Sequence, residues 1–174
     1  GIKIGCYSIG NDFAQKDPNN LLLGQPDGTF QEAGDRVGVA SMAQSRGASV
    51  VDLNADGQLD LVVINRNAPA EVWRNSGEGL GNWLQLALHQ DGANRDAIGA
   101  WIEVREGEAV QRREITSGGG HAGGQLGWWH FGIGAADKAE VRVIWPDGTQ
   151  GDWATVAANA FYDLSRGKAP EPHG

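Results

Sequence analysis

The sequence predicts an all-β chain of one or two domains, and three observations carry that expectation. Glycine supplies 27 of the 174 residues, apolar residues recur with a period of two rather than 3.6, and Gly, Pro, Asn and Asp punctuate the chain at short intervals. A chain of this length can bury a real core. The formal charge of -8 argues against a phosphate-binding surface, because unpaired carboxylates repel a nucleic-acid backbone; it suits solubility and cation binding. One cysteine, Cys6, allows neither an intrachain disulfide framework nor a thiolate metal site, and reads as a small buried apolar residue. No apolar run approaches the roughly 18 residues that a membrane span needs, so no membrane insertion is expected. The start at Gly1, inside a strand-like run and without a charged-then-apolar leader, reads as a processed or truncated terminus.

The elements follow in order. Ile2 to Ser8 alternates imperfectly and reads as a strand, followed by a polar loop from Gly10 to Asn20. Leu21-Leu22-Leu23 is a short apolar strand. The turn Gln25-Pro26-Asp27-Gly28-Thr29-Phe30 combines a preset proline φ with a glycine, and so returns Phe30 against that strand as a hairpin. Gly34 to Gly47 has no clear period; Gly38 to Ala43 reads as a helical turn or a plain connection. Ala48 to Val51, Leu61 to Asn65 and Glu71 to Asn75 are three strands of one antiparallel sheet, with an acidic loop between the first two. The glycine-rich break from Asn75 to Gly81 marks a domain boundary. It divides the chain into residues 1–80, residues 81–165 and a disordered tail over 166–174.

Beyond the break, Trp83 to His89 alternates strictly, with Leu84, Leu86 and Leu88 on one face. Ile98, Ala100, Ile102 and Val104 repeat the pattern. Gln111 to Thr116, Val141 to Trp145, Asp152 to Val156 and Phe161 to Leu164 bring the region to about seven strands between turn residues, the pattern of a β-sandwich.

The acidic loop Asp52-Leu53-Asn54-Ala55-Asp56-Gly57-Gln58-Leu59-Asp60 carries the chemistry. A hard divalent cation takes oxygen ligands from alternate residues of a curled loop, and Asp52, Asn54, Asp56 and Asp60 supply them at positions one, three, five and nine. Gln58 adds a backbone carbonyl at position seven, and Gly57 sits where the loop turns sharply. Position twelve is Val63 rather than glutamate and the flanks are strands, so the helical EF-hand reading fails. A flexible all-oxygen cage favours Ca2+ over Mg2+. The plainer alternative is an exposed Asx turn, but three carboxylates this close repel one another without a cation.

Asp52 to Asp60 followed by Leu61-Val62-Val63-Ile64-Asn65 resembles the calcium-loop repeat of FG-GAP (VCBS) β-propellers. Asn20-Leu21-Leu22-Leu23, Asp27-Gly28-Thr29-Phe30 and Gly38-Val39 resemble the end of a preceding repeat. The ordered motifs Asn94 to Ala100, Ser117 to Gly120, His130 to Gly134 and Trp145-Pro146-Asp147-Gly148 are similar to the ASPIC/UnbV domain that follows such propellers in cartilage acidic protein-like chains. The resemblance implies one or more partial β-propeller blades with a calcium loop, followed by a β-sandwich-like domain, in a secreted or cell-surface protein, with the periplasm as a bacterial equivalent. Gly5 to Asp12 lacks the acidic loop of a full repeat, which leaves about one and a half blades. An isolated blade exposes strand edges and apolar faces, so self-association or completion by the rest of a propeller is expected.

The remaining candidates are weaker. Ser117 to Gly124 could cradle a phosphate, but no Lys-Ser/Thr follows; Gly119, Gly120 and His121 read instead as a flexible loop for partner or ligand contact. His121 and His130 with Asp137 or Glu140 could form a metal or acid/base site, while the plainer expectation is that His130 satisfies a backbone hydrogen bond beside Phe131. No nucleophile elbow is present, and carboxylates as close as Asp52, Asp56 and Asp60 do not stand across a glycosidase cleft. Among seven tryptophans, Trp101 and Trp128 are the candidates for an exposed glycan-stacking surface, because Trp101 alternates away from the apolar face and Trp128 from Trp129. The expected function is a non-catalytic, calcium-stabilised recognition or assembly module; the alternative is a polysaccharide-binding or polysaccharide-processing accessory domain.

Overall fold

The computed structural model describes residues 17–25, 27–118, 124 and 127–174. Among the described residues, thirteen strands run from β1 to β13 with one short helix, α1, and the chain divides into two compact units. One unit contains residues 62–73 and the described part of 1–48; the other contains residues 49–61 and the described part of 74–174. The division therefore differs from a cut at residue 80: the acidic loop travels with the C-terminal unit. Alternation and turn residues locate strands, whereas the packing partner of a loop is not written in either.

In the first unit, β1 (Leu22–Gly24) and β2 (Phe30–Glu32) form the expected antiparallel hairpin, Leu22 opposite Glu32. Its turn is fixed by Asp27, whose carboxylate accepts from the Thr29 hydroxyl (2.7 Å) and N–H (3.0 Å). Helix α1 (Gly34–Val37) ends on Gly38 in the left-handed region, just ahead of the stretch where a helical turn was an option. The sheet β3 (Ser45–Val51), β4 (Asp60–Asn65) and β5 (Glu71–Trp73), of which residues 49–51 and 60–61 are counted with the second unit, has the order of the sequence, as its hairpin signals predict. A polar cluster ties this unit together: Ser45 Oγ donates to Asn65 Oδ1 (2.8 Å) and accepts from Asn19 Nδ2 (2.9 Å), and Glu71 accepts from Ser41 Oγ (2.7 Å). Its apolar side chains are less well covered. Leu22, Phe30, Val37, Met42, Ile64 and Val72 are all exposed.

The second unit contains a two-sheet sandwich. One sheet has the order β11-β10-β7-β8, from β7 (Trp101–Glu106), β8 (Ala109–Glu114), β10 (Lys138–Ile144) and β11 (Ala154–Ala157). The other has the order β13-β12-β6-β9, from β6 (Asn82–His89), β9 (Trp129–Gly134), β12 (Ala160–Ser165) and β13 (Glu171–Pro172). Leu84, Leu86 and Leu88 of β6 meet Ile102, Val104, Val141, Val143, Phe131 and Leu164 in one continuous core, as the period-two alternation requires. Among the described residues of the sandwich, neighbouring strands run antiparallel except β6 with β12, which run parallel with Leu84 opposite Ala160. On the outer face of β7 and β10, Glu103 is buried but compensated: Arg142 Nε lies 2.5 Å away and Arg112 Nε 3.5 Å away.

Two expectations change here. The alternating run from Ile98 opens as a loop, Asn94 exchanging side-chain bonds with the Ile98 N–H and C=O (both 2.9 Å), and the strand begins at Trp101. The tail expected to be disordered instead adds β13 to the sheet edge, with Asp163 opposite Glu171 and the His173 N–H donating to Phe161 O (2.9 Å). Its lack of an apolar anchor was the wrong criterion, since backbone pairing and His173 hold it. Ile2 to Ser8 and Cys6 lie outside the described residues.

Candidate functional site

The acidic loop joins β3 to β4 and is curled by two residues in the left-handed region, Ala55 (φ 57°) and Gly57 (φ 85°). Each carboxylate is bound to N–H donors. Asp52 Oδ1 accepts from the Asp56 N–H (3.1 Å), and its Oδ2 accepts from the Gly57 N–H (2.8 Å) and from Gln85 Nε2 (2.6 Å). Asp60, 3% exposed, accepts from the N–H groups of Leu53 (3.1 Å) and Asn75 (2.8 Å). Asp56 accepts from Asn54 Nδ2 (2.7 Å), the Gln58 N–H (2.9 Å) and the Arg74 guanidinium (3.4 Å). Hydrogen bonds from Asn54 and Gln58, with Arg74 beyond them, hold the Asp56 carboxyl below its ordinary value.

Whether a cation suits this loop turns on the donors' kind and on their placement. In kind they fit: three carboxylates and one amide, without nitrogen or sulfur ligands. Gln58 adds a second sign of fit, because its Oε1 is buried without a hydrogen-bond partner, and such an acceptor costs about 1–3 kcal/mol until water or a cation meets it. Gln58 lines a small cavity of about 180 Å³ with Asn75, Trp83 and His130. In placement, the carboxylates face their own main chain, and among the described residues no three His, Cys, Asp or Glu side chains form a metal-holding group. The residues that would hold Ca2+ are Asp52, Asn54, Asp56, Asp60 and the Gln58 carbonyl.

The loop rests on the outer face of β6 and β9. A Cβ on Gly57 would land inside the Trp83 indole, so only glycine fits this close approach. His130 Nε2 donates to the Gly57 carbonyl (2.9 Å), the backbone bond that the sequence led us to expect for this histidine. Burial, partly offset by that bond, lowers the His130 pKa. Trp83 and His130 stack with centroids 6.3 Å apart and planes 17° from parallel. Sequence reasoning missed Trp83, Gln85 and Asn75, since nothing in a polar residue on an alternating strand signals that a loop will cover it.

The other candidates are not gathered at this site. The Trp101 ring lies under the Arg112 guanidinium (4.3 Å), and Trp128 packs edge-on against Phe161 (5.0 Å) and His173 (4.8 Å), so neither is a bare stacking platform. Gly119, Gly120 and His121 lie outside the described residues. A larger cavity, about 430 Å³, is lined by Trp145, Leu164 and Lys168 among others and includes none of the candidate calcium ligands or contact residues. No helix among the described residues is long and apolar enough to cross a membrane.

Comparison with known proteins groups residues 49–61 with the N-terminal match rather than with the second unit. Residues 8–63 match the FG-GAP-like repeat, and residues 90–171 match the ASPIC and UnbV family. Cartilage acidic protein 1 of Mus musculus is 29% identical over 106 residues, covering 59% of this chain and 16% of that protein. The Homo sapiens protein of the same name gives the same figures. The chain thus spans about 16% of the length of these curated relatives. The two matches follow one another in the order that their motifs take along the sequence, so the chain is similar to an FG-GAP-like repeat over residues 8–63 and to the ASPIC and UnbV family over residues 90–171.

Proposed function

We propose that this chain is a calcium-stabilised recognition or assembly module that works outside the cytoplasm, at a cell surface or in a secreted protein, and has no catalytic role. The observation that carries the reading is the all-oxygen donor set of Asp52, Asn54, Asp56, Gln58 and Asp60 on one curled loop, with the buried Gln58 Oε1 beside it. The FG-GAP and ASPIC/UnbV pairing supports an adhesion or recognition class. Exposed apolar side chains on the first unit, Phe30 and Val72 foremost, support completion by further propeller repeats or by a second copy of the chain. The ion's part is structural: it draws together carboxylates that otherwise repel.

A thermal melt with light scattering, in millimolar calcium and then in chelator, tests this on the parent and on Asp56→Ala. At extracellular-type affinities, calcium adds about 1–2 kcal/mol to the parent and raises its Tm, while the variant does not respond. Scattering that rises only with calcium makes assembly the operating mode. A parent whose melt is identical in calcium and chelator removes the cation from the function.

A further inference from the structure

We propose that Gln85 and His130, on the outer face of β6 and β9, are positioning residues that set the acidic loop's affinity for its cation. This rests on the calcium reading above and extends it to residues outside the loop. Along β6, Leu84, Leu86 and Leu88 point into the core, which turns Trp83 and Gln85 outward; along β9, Phe131 and Ile133 point inward, which turns His130 outward. Gln85 and His130 are register partners, so their side chains stand together on one face. Outward residues on a sheet are ordinarily wet, yet Gln85 is 2% exposed. The loop covers it.

The three contacts fall on the two loop positions that decide its curl. Gln85 Nε2 reaches Asp52 Oδ2 at 2.6 Å, His130 Nε2 reaches the Gly57 carbonyl at 2.9 Å, and Trp83 receives the bare face of Gly57. The first position is a ligand and the sixth is the sharp turn between ligands, so both are ordered before any cation arrives. Preorganisation of this kind removes ordering cost from the binding step. The Gln85 donor is neutral, so it aims the Asp52 carboxylate while leaving its charge to attract a cation; a lysine or arginine there would cancel it. None of the three contacts engages the side chains of Asn54 or Asp56, whose partners are one another, the Gln58 N–H and Arg74.

The test is calorimetric titration of Ca2+ into the whole chain, in the parent, Gln85→Met, His130→Ala, His130→Gln and Asp56→Ala, with melts in chelator and in calcium. Gln85→Met keeps the buried volume and loses the donor; His130→Gln keeps an N–H donor. We expect Gln85→Met and His130→Ala to bind calcium about 10- to 100-fold more weakly, His130→Gln to recover most of the loss, and Asp56→Ala not to bind. A purely structural role would lower the Tm equally in both buffers; the positioning role shrinks the calcium-dependent rise. Where His130→Ala does not fold, His130→Leu fills the same space without the donor and decides the point. Equal affinity in parent, Gln85→Met and the His130 variant overturns the inference and leaves the calcium reading standing. A parent that takes up no calcium overturns the reading and the inference with it.

Discussion

Gly57 and Gly148 share a φ of 85° but have different neighbours: a Cβ at Gly148 meets nothing within 4 Å, whereas one at Gly57 strikes Trp83. Gly148→Ala therefore isolates conformational strain, about 1–2 kcal/mol. Gly57→Ala adds a steric clash and should cost about 2–5 kcal/mol in total, read from urea midpoints. Beside Gly148, Asp147 is held down to a pKa of about 2 by the Arg166 guanidinium at 2.5 Å, then by Thr149. Because its folded value is depressed, its contribution to stability is present above the unfolded carboxyl pKa and fades as pH falls through about 2. Carboxyl NMR titration should place Asp147 near that value and return it toward about 3.9 in Arg166→Ala. At this scale the sequence was informative about local geometry: it placed a tight loop over Asp52 to Asp60 with its sharp turn at Gly57. It was silent on Gln85, whose burial depends on a loop that precedes it in the chain and covers it only in the folded state.

Among elements, hairpins whose turn residues are explicit were legible: β1 with β2, and β3 with β4 and β5, follow directly from Asp27-Gly28 and from the acidic loop. Strand β13 was not, because two exposed residues carry no periodicity and depend on an edge already built. What ties it down is chemical. His173 Nδ1 and His89 Nε2 bracket the Asp163 carboxylate at 2.7 and 2.8 Å; burial pushes its pKa up, and His173 and then His89 together bring it below the ordinary value. Deleting residues 168–174 should leave the sandwich folded but less stable by about 1–2 kcal/mol, the scale of a few net hydrogen bonds. Differential scanning calorimetry would register the lower Tm, and unchanged stability would mean that β13 is not held in solution.

For the whole molecule, the core of the second unit is centred on β6, which lies between β12 and β9. Leu86 is fully buried there, so Leu86→Ala should cost about 2–5 kcal/mol in urea unfolding. Hydrogen exchange should be slowest in β6 and fastest in the edge strands β8 and β13. The sandwich itself was legible because each strand announces its inward face; the order of strands within each sheet was not, because alternation names a face and never a neighbour. The resemblance to FG-GAP and ASPIC/UnbV chains supplied the two-part plan. It did not place the acidic loop with the C-terminal unit, since a motif describes a segment and a compact unit is made of contacts.

The parallel pairing of β6 with β12 sets an order of events during synthesis. Leu84 stands opposite Ala160, so β6 leaves the ribosome long before the strand that completes its hydrogen bonding, and at about 5–20 residues per second the interval lasts several seconds. Over that interval an apolar strand has an open edge, as does every copy emerging from the same polysome. Yield in a heterologous host should therefore depend on chaperone supply and translation speed more than on the equilibrium stability of the finished fold.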